Sequence, residues 1–343
     1  MDTKLTNYCM DSLTHIVLGA ATGEVVLGKK AGNKALFWGA IAGSLPDFDV
    51  AVTSFYEPVK SLFVHRGFSH SIVFAIILAP LLGWIISKIH REASFREWTW
   101  LSLWAMLIHS TIDCFNTYGT ALLEPFSNAR LAFDSLGIID FFLLFPILII
   151  MVIVVFKTQF TKIRRKLSTI ALVYTLVYLV FTIGNKLVIE HSVKSDLSDK
   201  QIEYSRLKSS PLPLTNFLWL ILAEDSLGYH YGYISNFDKK PIDLKYIERN
   251  HFDLGNYANS STVNNLIHFT NGFYTVKKDS SDSLWLYDLR FGSMAFEDDE
   301  KWYVFSFKID GEEDLPIISR ANPNRSFGKK TLKEYFVRLF GKR

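Results

Sequence analysis

The chain has 343 residues, of which 49% are hydrophobic, 15% aromatic and only 21% charged, with a mean hydropathy of +0.16. That balance excludes both an ordinary soluble domain of this size and a disordered chain. Residues 1–190 hold 16 Lys+Arg and 13 Asp+Glu, whereas residues 191–343 hold 21 of each. The front therefore reads as membrane-like and the back as water-soluble, and neither carries the basic excess of a nucleic-acid-binding surface.

The N-terminus has no basic region leading into an uninterrupted apolar run and a small-residue cleavage site, so the first apolar segment is expected to stay in the protein. In chain order, apolar stretches at about 13–28, 34–46, 71–87, 97–113, 136–156 and 167–189 predict about six membrane helices, the second of them short. Gly19 and Gly23 have the spacing that lets two helix backbones approach closely. Between these segments lie Lys29, Lys30 and Lys34; Lys88, Arg91 and Arg96; and Lys157, Lys162, Arg164, Arg165 and Lys166. Together they make 11 of the 16 basic residues of the front half. The positive-inside rule places those three loops in the cytoplasm and the N-terminus and residues 191–343 outside.

Beyond residue 190 a polar stretch with Pro211 and Pro213 precedes short β-branched and aromatic runs at 272–276, 283–287 and 301–307, bounded by turn residues. The expected architecture is an all-α polytopic membrane bundle over residues 1–190, followed by an α+β extracytoplasmic domain over 191–343. The tail Lys329–Arg343 mixes six basic residues with Leu332, Tyr335, Phe336, Leu339 and Phe340 at helical spacing. It suits either an anionic membrane surface or packing on its own domain.

Ionisable residues fall in a pattern. His15 begins the first helix, Asp47 and Asp49 end the second, His65, Arg66 and His70 precede the third, His109 and Asp113 end the fourth, and Asp134 and Asp140 flank the start of the fifth. All lie at the outward ends under a topology derived without them. Ionisable groups at membrane depth are costly unless paired, ligated or wet, which makes the cluster a functional-site candidate. His109 and Asp113 share a helix face one turn apart. Asp47 and Asp49, following Pro46, fall on one side if the segment is extended. The five-residue spacing of His65 and His70 reads as a loop that turns at Gly67. Two cysteines, Cys9 and Cys114, cannot supply a disulfide framework or a Cys-based zinc site. His nitrogen with carboxylate oxygen favours zinc, with manganese or iron as alternatives, over copper(I).

Ser12-Leu-Thr-His15, Leu45-Pro-Asp-Phe-Asp49, His65-Arg-Gly-Phe-Ser-His-Ser71 and His109-Ser-Thr-Ile-Asp113, followed by Asn116-Thr-Tyr-Gly119, resemble the YdjM-like, LexA-regulated family of membrane-bound predicted metal-dependent hydrolases. The resemblance covers most of residues 11–156. A remoter similarity is to zinc-dependent phospholipase C and P1-type nucleases. It implies as metal ligands His15, one of Asp47/Asp49, one of His65/His70, and His109 with Asp113. Those enzymes add ligands downstream, whereas the next histidine here is His191, so a third metal is not expected.

The resulting expectation is a hydrolase with about two zinc ions at the outer face of the inner membrane, acting on a lipid or lipid-linked ester, a phosphoester before a carboxylic ester. An Asp of the 47/49 pair would take the water proton and Arg66 would hold an anionic substrate group. No Gly-x-Ser-x-Gly motif or phosphate-cradling Gly-rich loop points to serine or nucleotide chemistry. The alternative is a non-enzymatic membrane protein with a structural or regulatory metal and a partner-binding outer domain. An ion carrier fits poorly, because the inner half of each helix is apolar apart from Glu24.

Overall fold

A computed structural model describes residues 12–157, 162–293, 303–313, 315–321 and 329–341. Cys9, Lys301 and the last two residues of the basic tail lie outside them. The described residues form two units. One comprises the chain up to Tyr56 and Phe63–Ile183, and the other Glu57–Leu62 and the chain from Gly184 onward.

The first unit is helical. It contains α1 (Ser12–Ala31), α2 (Asn33–Ser44), a 3-10 turn over Pro46–Phe48 and α3 (Asp49–Thr53). After α4 (Pro58–Val64), whose residues through Leu62 fall in the other unit, and a second 3-10 turn at Phe68–His70 come α5 (Ile72–Ile89), α6 (Phe95–Asp113), α7 (Phe141–Phe156) and the start of α8 (Lys162–Asp199). All six apolar segments are thus helical. Among the described residues, α5 and α8 are long and apolar enough to cross a membrane, and α2 with Pro46–Thr53, bent by 49°, makes a third. The helices α1 and α6 interrupt their apolar runs with buried polar residues, including Thr14, His15, Thr22 and Glu24 on the first and Ser102, His109 and Ser110 on the second.

Helix starts follow side-chain chemistry. Ser94 and Glu97 form a reciprocal capping box on α6, Ser71 accepts from Phe74 N–H at the start of α5, and Asp140 caps α7 through the N–H groups of Phe142 and Leu143. Asp140 also accepts from Tyr178 Oη at 2.8 Å, which accounts for it as a structural residue.

Glycines fix the α1–α2 contact. A Cβ on Gly19 would lie 2.3 Å from Gly39 O, and one on Gly23 would lie 2.0 Å from Ala35 O. The Gly19/Gly23 pair therefore meets Gly39 and Gly43 backbone to backbone, as its spacing anticipates.

In the second unit α8 continues to Asp199, ten residues past the expected end of its apolar segment. Ile189, Val193 and Leu197 keep a helical repeat and pack against Trp219, Ile221 and Ala223. Strands β1 (Arg206–Pro211), β2 (Leu218–Glu224), β3 (Gly228–Ser235) and β4 (Lys245–Glu248) form one antiparallel sheet in that order. After a 3-10 segment and α9 (Ser261–Phe269), strands β5 (Tyr274–Lys278), β6 (Leu284–Ser293), β7 (Tyr303–Glu312) and β8 (Leu315–Ala321) form a second. The other face of β2, with Leu218, Leu220 and Leu222, shares a core with Leu289, Tyr303 and Tyr335. Burial on both faces explains the unbroken apolar run of β2. The tail helix α10 (Lys329–Leu339) contributes Tyr335 and Leu339 to that core.

Candidate metal centre

The close α1–α2 contact determines where the site forms. A Cβ on Gly43 would lie 3.0 Å from His15 O, so the glycine seam carries His15 to the end of α2. There the Gly43 carbonyl accepts from His109 Nδ1–H at 2.6 Å. His15 and His109 rings lie with centroids 3.7 Å apart. One turn further along α6, Asp113 shares the His109 face, with Oδ2 3.4 Å from His109 Nε2, as the four-residue spacing anticipates.

The Asp47/Asp49 segment corrects the extended reading. Pro46 starts a 3-10 turn that runs into α3, because its ring fixes φ at a helical value and its missing N–H costs nothing at a helix start. In helical backbone, residues two apart diverge by about 200°, so the two carboxylates take different places. Asp47 turns toward the histidines, with Oδ1 3.4 Å from His70 Nε2 and 3.6 Å from His109 Nε2. Asp49 accepts from His65 Nδ1–H (2.9 Å), Arg66 N–H (2.9 Å) and Ser69 Oγ–H (2.7 Å). It organises the His65–His70 loop.

That loop also turns differently from the expectation. Arg66, not Gly67, has left-handed backbone, with φ 57°. Gly67 serves a close approach, since a Cβ there would lie 2.8 Å from Phe63 O. The left-handed turn at a non-glycine residue is maintained by several ties. Arg66 N–H reaches Asp49, its guanidinium donates to Asn116 Oδ1, and its Nη2 lies 3.3 Å from Asp113 Oδ1. Arg130 clamps the loop backbone by donating to the Phe63 and His65 carbonyls at 2.8 and 2.7 Å and to the Gly119 carbonyl at 3.0 Å.

Asp47, His70, His109 and Asp113 thus converge, each offering one ligand atom within 4.8 Å of all the others. The hydrogen bonds around them set the tautomers. Ser69 gives its proton to Asp49, so its oxygen accepts from His70 Nδ1–H at 2.9 Å, and His109 Nδ1–H is given to a carbonyl. Both Nε2 atoms therefore face inward, 3.1 Å apart, beside two carboxylate oxygens. With both imidazoles neutral these are four acceptors that repel one another unless a metal ion sits between them; a proton on either Nε2 would instead make it a donor to the carboxylates. Each imidazole is held from its far nitrogen by a carbonyl or hydroxyl, the arrangement that orients metal-binding histidines.

Charge gives the same answer. With the imidazoles neutral, the carboxylates of Asp47, Asp49 and Asp113 face the single guanidinium of Arg66, leaving an excess of negative charge that a dication neutralises. Asp113 is fully buried and neither of its oxygens has a hydrogen-bond donor in good geometry; a buried carboxylate in that condition costs several kcal/mol. The residues present therefore fit a divalent ion.

His15 and His65 lie outside this group of four. His15 Nε2 is 3.2 Å from Asp113 Oδ1, so Asp113 presents one oxygen to the His70/His109 side and the other to His15 and Arg66. His65 is bonded to Asp49, and burial holds its imidazole below the ordinary value while Asp49 pulls it up. Asp134 has left-handed backbone and belongs to none of these contacts. Gly43, Ser69 and Arg130 escaped the sequence reading, since each acts through a single backbone or hydroxyl contact that leaves no spacing signal.

Comparison with known proteins covers the helical unit. YfhP of Bacillus subtilis (strain 168) is 32% identical over 142 residues, 39% of this chain and 43% of that protein. The inner membrane protein YbcI of Escherichia coli (strain K12) is 33% identical over 120 residues, 34% of this chain and 69% of that protein. The chain thus covers less than half of YfhP. No solved structure matches, so the remote likeness to phospholipase C and P1-type nucleases gains no support. The family model described as YdjM inner membrane protein matches residues 10–188, which takes in α1 to α7, most of α8 and all four residues of the candidate metal group: the chain belongs to the YdjM inner membrane protein family.

Proposed function

We propose that this membrane protein is a metal-dependent hydrolase of a lipid or lipid-linked ester, with a phosphoester as the leading substrate class. The observation that carries the reading is the inward convergence of Asp47, His70, His109 and Asp113 on one point. Zinc is the expected ion, with manganese or iron as alternatives. Asp113, through its second oxygen, and His15 are the groups that a second ion would use. A bound dication supplies a Lewis acid that brings the pKa of a water toward neutrality.

The remaining roles belong to the chain. Asp47 keeps a side-chain exposure of 21%, against 1% or less for its three partners, so substrate approaches past it and it is placed to take a proton from water. Asp49 is the other base of the pair, tied to the loop by three hydrogen bonds. Arg66 stands beside Asp113 and offers the cation for an anionic group. Turnover of a fluorogenic phospholipid phosphoester by detergent-purified protein is expected, with loss on chelation and return on adding zinc. No turnover of any lipid ester by zinc-loaded protein contradicts the reading.

One observation favours a second reading. Four protein donors fill a tetrahedral zinc, and a filled site is structural. Metal-loaded protein that is stabilised by the ion yet inert toward lipid esters would select it.

For topology we propose that the site and residues 191–343 face the extracytoplasmic side, on the strength of the basic loops. In a background lacking Cys9 and Cys114, impermeant thiol reagent on intact cells should label a cysteine at Ser261 and spare one at Lys162. The reverse pattern puts the site in the cytoplasm.

A further inference from the structure

The tail helix packs on its own domain and still leaves an apolar face outward. Tyr335 and Leu339 are buried, and Arg338 pairs with Asp238 at 2.6 and 2.9 Å. These ties fix the helix so that Phe336 (47% exposed), Val337 (65%) and Phe340 (68%) face solvent. Phe237 (50% exposed) lies beside them, its ring 6.5 Å from Phe340 and 5.7 Å from Phe217. A soluble domain does not keep such a continuous aromatic surface without a use for it.

The place of the patch identifies its occupant. Within the second unit Asn185 of α8 donates to Asn216 O (2.6 Å) and Asn216 Oδ1 (3.0 Å), and it bonds to Asn236 as well. Asn216 and Asn236 immediately precede Phe217 and Phe237. Asn185 stands near the C-terminal end of the apolar part of α8, a helix long enough to cross a membrane. The aromatic surface therefore sits where this helix leaves the apolar phase, at the depth where aromatic rings favour the headgroup boundary. Exposed Lys239, Lys240 and Lys333 stand near Phe237 and Phe336 in sequence and suit anionic headgroups.

We infer that Phe237, Phe336 and Phe340 form a membrane-docking surface that seats the C-terminal domain on an anionic bilayer next to α8. This inference rests on α8 crossing the membrane and is independent of the hydrolase reading. It takes both alternatives for the tail: one face of α10 packs on the domain and the other meets lipid.

The test uses the full-length chain in nanodiscs of phosphatidylethanolamine and phosphatidylglycerol. Single cysteines replace Phe237, Phe340 or Leu227 in the cysteine-free background and carry an environment-sensitive fluorophore. Leu227 is the control, because it is 70% exposed and lies at the other end of the β2–β3 hairpin, about 20 Å away along the strand. Spin-labelled lipids should quench positions 237 and 340 at least about threefold more than 227, with headgroup-proximal labels most effective. Equal quenching at all three positions overturns the proposal. So does protection at 340 that persists without lipid and is accompanied by 340–340 crosslinks, which would assign the patch to a second copy.

Discussion

The two units bury charge in opposite ways. Among the described residues of the C-terminal unit, the buried carboxylates are matched by cations: Asp288 by Arg290 at 2.7 Å, and Glu224 by Arg206 and Arg249. The same solution appears at the other end of α1, where Glu24 meets Arg164 at 2.6 Å. At the metal centre three carboxylates converge with one guanidinium and inward-facing imidazoles. Matched pairs complete themselves; on the proposed reading, the centre is complete only with a metal ion. That contrast separates charges kept for architecture from charges kept for chemistry.

The largest effect is expected at the mismatch. His109→Ala and Asp113→Ala should each reduce bound metal at least about tenfold and abolish lipid-ester turnover, since each removes one of four donors. Elemental analysis of the purified variants checks it, and full metal retention in both would mean that the centre is another matched cluster.

Breaking a matched pair should do the converse. Arg290→Met leaves Asp288 buried without its cation and should cost about 3–5 kcal/mol of stability, read as a lower midpoint of thermal unfolding in detergent. Metal content should stay at the wild-type level. Metal loss together with the stability loss would blur the contrast.

Arg66→Gly sharpens it further, because glycine accepts the left-handed backbone at no steric cost and the change therefore removes the side chain without straining the turn. KM for an anionic lipid substrate should rise about tenfold or more while metal stays bound. An unchanged KM would confine Arg66 to the loop. The smallest effect belongs to Ser69→Ala, which removes the hydroxyl linking Asp49 to His70. Metal affinity should fall about tenfold, as for other partners of metal-binding histidines, with competitive chelator titration as the readout.

The legible part of this molecule was what repeats or what spacing determines. Apolar length marked the six longer helices of the first unit and missed α3 and α4, the four-residue step put His109 and Asp113 on one face, and the Gly19/Gly23 spacing marked a close backbone contact. Three strand runs were visible in β-branched and aromatic residues. What stayed hidden depended on local backbone or tertiary partners. The turn at Pro46 sends Asp47 and Asp49 to different neighbours, and only the folded chain shows that Arg66 takes the left-handed turn in place of Gly67. The first sheet was missed because β2, buried on both faces, has no alternation to betray a strand. The continuation of α8 to Asp199 was masked by a polar stretch whose Ile189, Val193 and Leu197 still keep helical spacing.

If His70 and His109 are neutral, the four inward-facing acceptors need a metal ion, and the metal content of detergent-purified protein measures whether they hold one. About one tightly held zinc, manganese or iron ion per chain is expected, restored after chelation and lost in Asp113→Ala. Fewer than about 0.3 ions per chain, unrestored by added zinc or manganese, would contradict it, and would mean that protons on His70 and His109 hold the carboxylates together.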